Sequence, residues 1–193
     1  MHRAKGLDLS HLDFTSLPIR DIPDAFATFA GSKLGFTQYE HHFIPKEELE
    51  PEYDSSLKLC PEAMLKYRYL KRATHLYHNA QENGKFAREA FLAEAKVYET
   101  LLKNPHPNIA KYWGCHVVNG SIRGLVLSKY AMTLEERVRT GVPLDTELCL
   151  KEIKDGIEHL HSLGLTHNDI HQRNIIMDAA DRPVIIDFDT CVS

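Results

Sequence analysis

The 193-residue sequence lacks several features that would each assign it to a particular class of protein. Its longest apolar runs are three to four residues, such as residues 125–127, whereas a membrane-spanning helix needs about 20. The amino-terminal residues contain no apolar segment, so we expect no secretory signal. The formal net charge is -4, which argues against the basic surface that nucleic-acid binding requires. The sequence therefore predicts a protein that binds neither membranes nor nucleic acid.

Cysteine is scarce and scattered. No two of the cysteines form a C-x-x-C pair, so the sequence predicts neither a disulfide framework nor a zinc site. Among the twelve histidines, the pairs His75/His78 and His41/His42 have no cysteine or carboxylate set at ligand spacing, and exposed histidines are the preferred interpretation. Reduced thiols are typical of a cytosolic or nuclear protein, and we expect a cytoplasmic location with the nucleus as the alternative. The cysteines are Cys60, Cys115, Cys149 and Cys191.

The first part of the chain predicts an irregular region, a strand and a helix. Residues 1–57 are broken by four prolines and are interpreted as an extension or an irregular start of a domain. Residues 63–71 are aromatic-rich with partial alternation, which favours a strand. Residues 86–103 carry an apolar stripe at helical spacing, and Pro105 ends the helix. Glu94 lies inside this stripe, either as a boundary residue that reaches solvent or as half of a functional ion pair with a lysine.

The next part predicts a hairpin and two helices. Residues 115–118 and 122–127 flank Asn119-Gly120, a dipeptide favoured in tight turns. Thr133 begins a capping box that opens a short helix, and a longer helix spans residues 146–163. This order of elements predicts an α+β fold. The apolar stripe predicted for the longer helix comprises Cys149, Leu150, Ile153, Ile157 and Leu160.

Three oxygen-bearing side chains are expected to converge near the end of the sequence. Two isoleucine-rich runs bracket a polar turn and should pair as an antiparallel hairpin. With Met177 opposite Val184, the register sets Asn174 opposite Asp187, beside the loop that carries Asp169. A carboxylate and an amide oxygen suit Mg²⁺, which completes its shell with water and substrate phosphates. Asp169 is then free to accept a proton from a hydroxyl, a pattern that predicts phosphoryl transfer.

These residues stand in motifs that resemble those of protein kinases. The segment His167-Asn168-Asp169-Ile170, followed by Asn174, resembles the catalytic loop H-R-D-L-x-x-x-N, and Asp187-Phe188-Asp189 resembles the metal-binding D-F-G. The resemblance runs from about residue 63 onward and implies a protein-kinase-like two-lobe fold. It implies a β-rich N-lobe at 58–127 and a hinge with a partial helical C-lobe at 128–193. Three further segments match in order: 106–109 (His-Pro-Asn-Ile), 126–131 (the hinge) and 158–164 (the end of the helix before the catalytic loop).

The resemblance also implies a role for each matching residue. Asp169 would be the catalytic base, and Asn174 and Asp187 would hold Mg²⁺. Glu94 would pair with the strand lysine that anchors the phosphates of ATP. Lys66 is the preferred lysine because Ala-Met-Leu-Lys is similar to V-A-I-K, and Lys71 is its rival. The backbone that would meet the adenine comprises Lys129, Tyr130 and Ala131.

The sequence departs from the kinase pattern at several positions, and these departures keep three functions open. No G-x-G-x-x-G precedes Lys66, Asn168 replaces the loop arginine, and Asp189 replaces the glycine of D-F-G. His171 stands where serine/threonine kinases carry a lysine. The functions are an ATP- and Mg²⁺-dependent kinase acting on protein Ser/Thr hydroxyls, a small-molecule phosphotransferase of the aminoglycoside and choline kinase-like type, and a non-catalytic pseudokinase-like module.

The sequence ends at Ser193, before the activation segment and the later helices of a kinase. We therefore expect a truncated or incomplete C-lobe. Such a lobe would leave an apolar face exposed, and a partner is expected to cover it.

Overall fold

The computed structural model describes residues 50–72 and 83–192 of the chain. Most of the predicted extension at 1–57 lies outside these residues. The described part is an α+β arrangement, as predicted, and no described helix is long and apolar enough to cross a membrane. The helices are α1 (Asn83–Lys103), α2 (Leu134–Arg139) and α3 (Thr146–Ser162), preceded by a 3₁₀ helix at Glu62–Tyr67. The strands are β1 (Tyr69–Lys71), β2 (Tyr112–Val118), β3 (Ser121–Leu127), β4 (Met132–Thr133), β5 (Ile175–Met177) and β6 (Pro183–Ile185).

The described strands form two antiparallel three-stranded sheets. The first has the order β1-β3-β2 and packs against α1, and the second has the order β4-β5-β6 and packs against α2 and α3. A large buried cluster joins the first sheet to α1, and it continues into residues of α3 and β6. A smaller cluster lies between α2, α3 and β5. The loop that carries Asp169 leads directly into β5 of the second sheet, and Leu165, at its start, belongs to the large cluster.

Helix α1 confirms the helix predicted at 86–103 and begins three residues earlier. Its buried stripe includes Phe91, Ala95, Tyr98 and Leu101. Glu94 lies within this stripe with 2% of its surface exposed, so it is not a boundary residue that reaches solvent. A carboxylate at this depth requires a partner.

The strand predicted at 63–71 is corrected to a 3₁₀ helix followed by a short strand. Pro61 precedes the 3₁₀ helix with φ at -59°, and the Met64 N–H donates to its carbonyl at 2.9 Å. The turn ends at Arg68, whose N–H donates to Leu65 O at 3.1 Å. Only Tyr69–Lys71 pairs with β3. Local hydrogen bonding started by the proline thus overrides the alternating pattern.

The hairpin and the capped helices confirm the predictions made from local signals. Asn119 and Gly120 both have positive φ, at 52° and 79°, which is the requirement of a tight type I′ turn. Thr133 and Glu136 form the reciprocal capping box at the start of α2. The side chain of Asp145 accepts a hydrogen bond from the Leu148 N–H and caps α3.

The apolar stripe of α3 differs from the prediction at one position. Leu150 is 39% exposed, whereas Cys149, Ile153 and Leu160 are buried. Leu150 is adjacent to Cys149, so it lies about 100° around the helix from the buried face. The buried face instead includes Glu152, whose carboxylate pairs with the guanidinium of Arg182.

The β5–β6 hairpin forms as predicted, but its register is shifted by one residue. Met177 pairs with Pro183, not with Val184. The side chain of Asp178 sets this register, because it accepts hydrogen bonds from the N–H groups of Ala180 and Arg182 at 2.8 and 2.9 Å. Asn174 therefore lies opposite Ile186, whose N–H donates to Asn174 O at 3.0 Å, and Asp187 is the next residue along the chain.

Candidate active site

A lysine shared by two carboxylates is the central feature of the site. Lys71 on β1 places its Nζ 2.6 Å from Glu94 Oε1 on α1 and 2.5 Å from Asp187 Oδ1, just after β6. The structure thus corrects the expected partner of Glu94 from Lys66 to Lys71. Lys66 lies in the exposed 3₁₀ helix, with its Nζ 5.4 Å from the centre of the Tyr67 ring. Strand β1, which faces the site, begins at Tyr69, after the 3₁₀ helix, so Lys66 is not part of the strand.

Burial determines the electrostatics of this triad. The side chain of Glu94 is 1% exposed and that of Lys71 is 19% exposed. Burial alone would lower the pKa of Lys71, but the carboxylates of Glu94 and Asp187 outweigh it and raise the pKa. Burial raises the pKa of Glu94, and the attraction of Lys71 opposes this change. Lys71 therefore carries its positive charge at neutral pH, and its ammonium is held by one carboxylate from α1 and one from the residues after β6.

A second group of contacts organises the catalytic-loop segment. Asn174 donates through its Nδ2 to Asp169 Oδ2 at 2.8 Å and to Asp169 O at 3.0 Å. Asn174 is 8% exposed, whereas the side chain of Asp169 is 48% exposed. The His171 Nε2 lies 3.4 Å from Asp169 Oδ2. The structure thus brings the predicted residues Asp169 and Asn174 into direct contact and leaves the Asp169 carboxylate open to solvent.

The donor set at Asn174 and Asp187 fits a hard cation. The amide nitrogen of Asn174 is used by Asp169, which leaves its carbonyl oxygen as a ligand. Asp187 binds Lys71 through Oδ1, which leaves Oδ2. No group of three or more His, Cys, Asp or Glu side chains at metal-binding distance occurs in the described ranges. One carboxylate and one amide oxygen suit Mg²⁺, which takes its remaining ligands from water and phosphate.

Four aromatic rings form a continuous series of contacts between helix α1, which carries Glu94, and the loop that carries Asp169. Tyr98 of α1 stacks on Tyr112 of β2 with ring centres 5.3 Å apart, and Phe188 meets Tyr98 edge-on at 5.2 Å. His167 packs on Phe188 at 5.1 Å, and its Nε2 lies 2.8 Å from Ile186 O. Burial lowers the pKa of His167, so the neutral ring donates to this carbonyl. The sequence predicted only an apolar stripe within residues 86–103, because no local pattern indicates which rings meet.

Two residues of the site, one in the loop that carries Asp169 and one after β6, have a left-handed backbone conformation. Asn168 and Asp187 both adopt positive φ, at 62° and 68°. Asn and Asp tolerate this region better than other non-glycine residues, and such conformations cluster at functional sites. The Asn168 Nδ2 donates to Thr190 O at 3.1 Å, and the Thr190 hydroxyl donates to His167 O at 2.7 Å. Asn168, which stands where the kinase motif has arginine, thus links this loop to the segment after Phe188.

A cavity of about 420 Å³ opens beside the triad. Its walls include Lys71 and Asp187 together with the predicted hinge residues Lys129, Tyr130 and Ala131. Within the described part of the chain, no hydrogen bond occupies the main-chain groups of Lys129 or Ala131. The cavity therefore combines an apolar wall, free main-chain polar groups and a fixed cation.

The fold and these contacts are those of a protein-kinase-like domain, and comparison with known families agrees. The model of the protein kinase domain matches residues 65–193, which is about two thirds of the sequence. The chain belongs to the protein kinase domain family.

Several curated serine/threonine kinases are similar to this chain. The probable serine/threonine-protein kinase mkcB of Dictyostelium discoideum is 31% identical over 94 residues, covering 47% of this chain and 13% of that protein. Serine/threonine-protein kinase PSK1 of Saccharomyces cerevisiae is 28% identical over 102 residues, covering 50% and 8%. The human serine/threonine-protein kinase/endoribonuclease IRE2 is 30% identical over 116 residues, covering 54% and 12%. The chain thus spans a small part of the length of these relatives.

Proposed function

We propose that this chain is an ATP- and Mg²⁺-dependent kinase that transfers the γ-phosphate of ATP to a Ser or Thr hydroxyl of a protein. The observation that carries the proposal is the Lys71 ammonium, held between Glu94 and Asp187 in the wall of the cavity. A fixed cation on this wall would bind phosphate oxygens without reorganisation when charge develops in the transition state. The names of the relatives support serine and threonine as acceptors.

We assign the remainder of the nucleotide to the hinge. The free main-chain groups at Lys129 and Ala131 would meet the adenine edge, and Tyr130 lies between them. In this arrangement residues 58–127 form the N-lobe and residues 128–193 form the hinge and the C-lobe region. The nucleotide would then lie between the two sheets, with its phosphates toward Lys71.

We assign Mg²⁺ to Asn174 and Asp187. When bound, the ion would neutralise negative charge on the phosphates. Asp169 would accept the proton of the attacking hydroxyl, because its carboxylate is open to solvent and Asn174 fixes its orientation. His171, whose Nε2 lies 3.4 Å from Asp169 Oδ2, stands where the kinase motif has a lysine.

A small-molecule acceptor is the second candidate. The contact between His171 and Asp169 favours it, because Asp-x-His-x-x-Asn resembles the loop of aminoglycoside and choline kinase-like enzymes. The third candidate, a module that binds nucleotide or a partner without turnover, is supported by Asp189 in place of the D-F-G glycine. Transfer assays with protein and small-molecule acceptors distinguish the first two, and nucleotide binding without transfer would support the third.

The first experiment is thermal unfolding with and without Mg-ATP. A ligand that binds only the folded state at a hundredfold excess over Kd raises stability by about 2.7 kcal/mol. We expect a Mg²⁺-dependent shift for the chain and its loss in Asp187→Ala. Lys66→Met serves as the matched control and should keep the shift. No shift in a cooperatively unfolding chain would contradict the nucleotide site.

A further inference from the structure

A segment upstream of the family match packs along the first sheet. Residues 51–60, which we call the strap, precede the matched region at 65–193. The Ile122 N–H donates to Pro51 O and the Tyr53 N–H donates to Gly120 O, both at 2.8 Å. These bonds attach the start of the strap to the β2–β3 turn.

The end of the strap pairs with the middle of β2. The Cys115 N–H donates to Lys58 O at 2.6 Å, and the Cys60 N–H donates to Cys115 O at 2.8 Å. The fit is close, because a Cβ placed on Gly114 would lie 2.7 Å from both Lys58 O and Cys60 N. A glycine at position 114 thus allows the main chain of the strap to lie directly against β2.

The strap also holds α1. The Lys58 N–H donates to Glu99 Oε1 of α1 at 2.6 Å, and donation to a charged acceptor is stronger than between neutral groups. Leu57 belongs to the same buried cluster as Phe91 and Tyr98 of α1. The strap is therefore attached to the sheet on one side and to α1 on the other.

Glu99 is placed where it can control the rotation of α1. It follows Glu94 by five residues, which is about 7.5 Å along the helix axis and about 140° around it. A bond at Glu99 opposes rotation of the helix, and rotation would move Glu94 away from Lys71. Burial raises the pKa of Tyr112, and the Cys115 thiol and the Glu99 carboxylate raise it further.

We propose that Glu99 is a positioning residue, through which the strap holds α1 in the orientation that lets Glu94 reach Lys71. The inference rests on the proposed nucleotide site for its functional effect, but the hold itself is a property of the fold. If release of the strap lowers the fraction of molecules with Glu94 engaged, the apparent Kd for nucleotide rises by the inverse of that fraction. The bond from Lys58 is made by its main chain, so Glu99 is the partner whose side chain can be changed.

The test is a double-mutant cycle in the full chain. Glu99→Ala, Glu99→Gln and Lys103→Ala are compared in the native background and in a Glu94→Gln background. Glu99→Gln keeps an oxygen acceptor for the Lys58 N–H, and Lys103→Ala changes an exposed residue of the same helix. The Kd for a non-hydrolysable ATP analogue with Mg²⁺ is measured well below each unfolding midpoint.

We expect Glu99→Ala to raise this Kd by about fivefold in the native background, as for a fall of the engaged fraction to about one fifth. The Gln and Lys103 variants should change it by less than about twofold. In the Glu94→Gln background the effect of Glu99→Ala should disappear, because the contact through which Glu99 acts is already lost. An equal rise in both backgrounds, or no rise, would overturn the proposal.

Hydrogen exchange of the α1 amides without nucleotide provides a second measurement. Faster exchange in Glu99→Ala, but not in Glu99→Gln or Lys103→Ala, would support the hold by the strap. Unchanged exchange would overturn it. If the native chain binds no nucleotide analogue, the proposed function fails, and this measurement alone decides whether the strap holds α1.

Discussion

Lys71 Nζ and Glu94 Oε1 lie 2.6 Å apart, although the residues are 23 positions apart in the chain. Glu94 also accepts a hydrogen bond from the Phe188 N–H at 3.3 Å, so the carboxylate joins β1, α1 and the segment after β6. A buried pair is costly to desolvate and is weak evidence for stability in itself. Lys71 and Asp187 line the cavity, so under the proposed function the pair serves to fix the Lys71 ammonium there.

Replacement of Lys71 should be far more damaging than replacement of Lys66. Lys71→Met leaves Glu94 buried without its cation, which should lower the free energy of unfolding by about 3–5 kcal/mol. Lys66→Met changes an exposed side chain and should alter it by less than about 0.5 kcal/mol. Urea unfolding of both variants measures the difference. Equal losses of stability would contradict the assignment of Lys71, and not Lys66, as the partner of Glu94.

The loss in Lys71→Met should also depend on pH. Burial raises the pKa of Glu94 in the folded state, and removal of Lys71 removes the main opposing attraction. Between the unfolded and folded pKa values the folded state binds more protons, so stability falls as pH rises through this window. The variant should therefore lose less stability at pH 5 than at pH 7. A loss that is independent of pH would mean that Glu94 finds another partner.

Substitution of Asp169 should separate binding from transfer. Asp169→Asn keeps the size of the side chain but removes the proton acceptor, and a general base contributes about 10²- to 10⁴-fold to rate. We expect the Mg-ATP thermal shift to persist while phosphoryl transfer falls by this factor. Glu158→Gln, on the exposed face of α3, is the control and should change neither measurement. Loss of the thermal shift in Asp169→Asn would instead assign this residue to nucleotide or metal binding.

The aromatic stack should depend on the ring of Tyr98 and not on its hydroxyl. The hydroxyl is fully buried and makes no hydrogen bond of standard geometry among the described residues. Tyr98→Phe keeps both ring contacts and removes this hydroxyl, so stability should stay within about 1 kcal/mol or rise. Tyr98→Ala removes the rings' common neighbour and should cost about 3–5 kcal/mol. Chemical denaturation of the two variants compares them, and a large loss in Tyr98→Phe would indicate a bound partner for the hydroxyl.

Local chemistry explains which parts of the fold were predictable from sequence. The Asn119-Gly120 turn and the Thr133 capping box depend on residues only a few positions apart, and both appear in the structure as predicted. The contact between Asp169 and Asn174 also follows from a short loop. In each case the sequence contains every group that determines the geometry.

The corrections come from turn geometry and packing that a hydrophobic pattern does not show. The choice of Lys71 over Lys66 depends on the 3₁₀ helix that delays β1, and the β5–β6 register depends on how Asp178 closes its turn. Leu150 is exposed because α3 presents a neighbouring face to the core. The strap could not be predicted either, since its bonds are mostly made by main-chain groups, which leave no residue pattern.

Low pH should lower the free energy of unfolding, in part through protonation of His167. Burial lowers the pKa of this ring below its usual value, so between the folded and unfolded pKa values the unfolded state binds more protons. Stability should therefore decline as pH falls from about 6.5, the ordinary histidine value, toward the lower folded value.

His167→Gln keeps a donor for Ile186 O but does not titrate, and the slope of stability against pH between 7 and 5 should be shallower than in the native chain. His116→Gln, on β2, makes the same substitution away from this contact and serves as its control. An equal slope in the native chain and His167→Gln would mean that the acid sensitivity comes from other groups, of which His106 is the first to test because burial lowers its pKa as well.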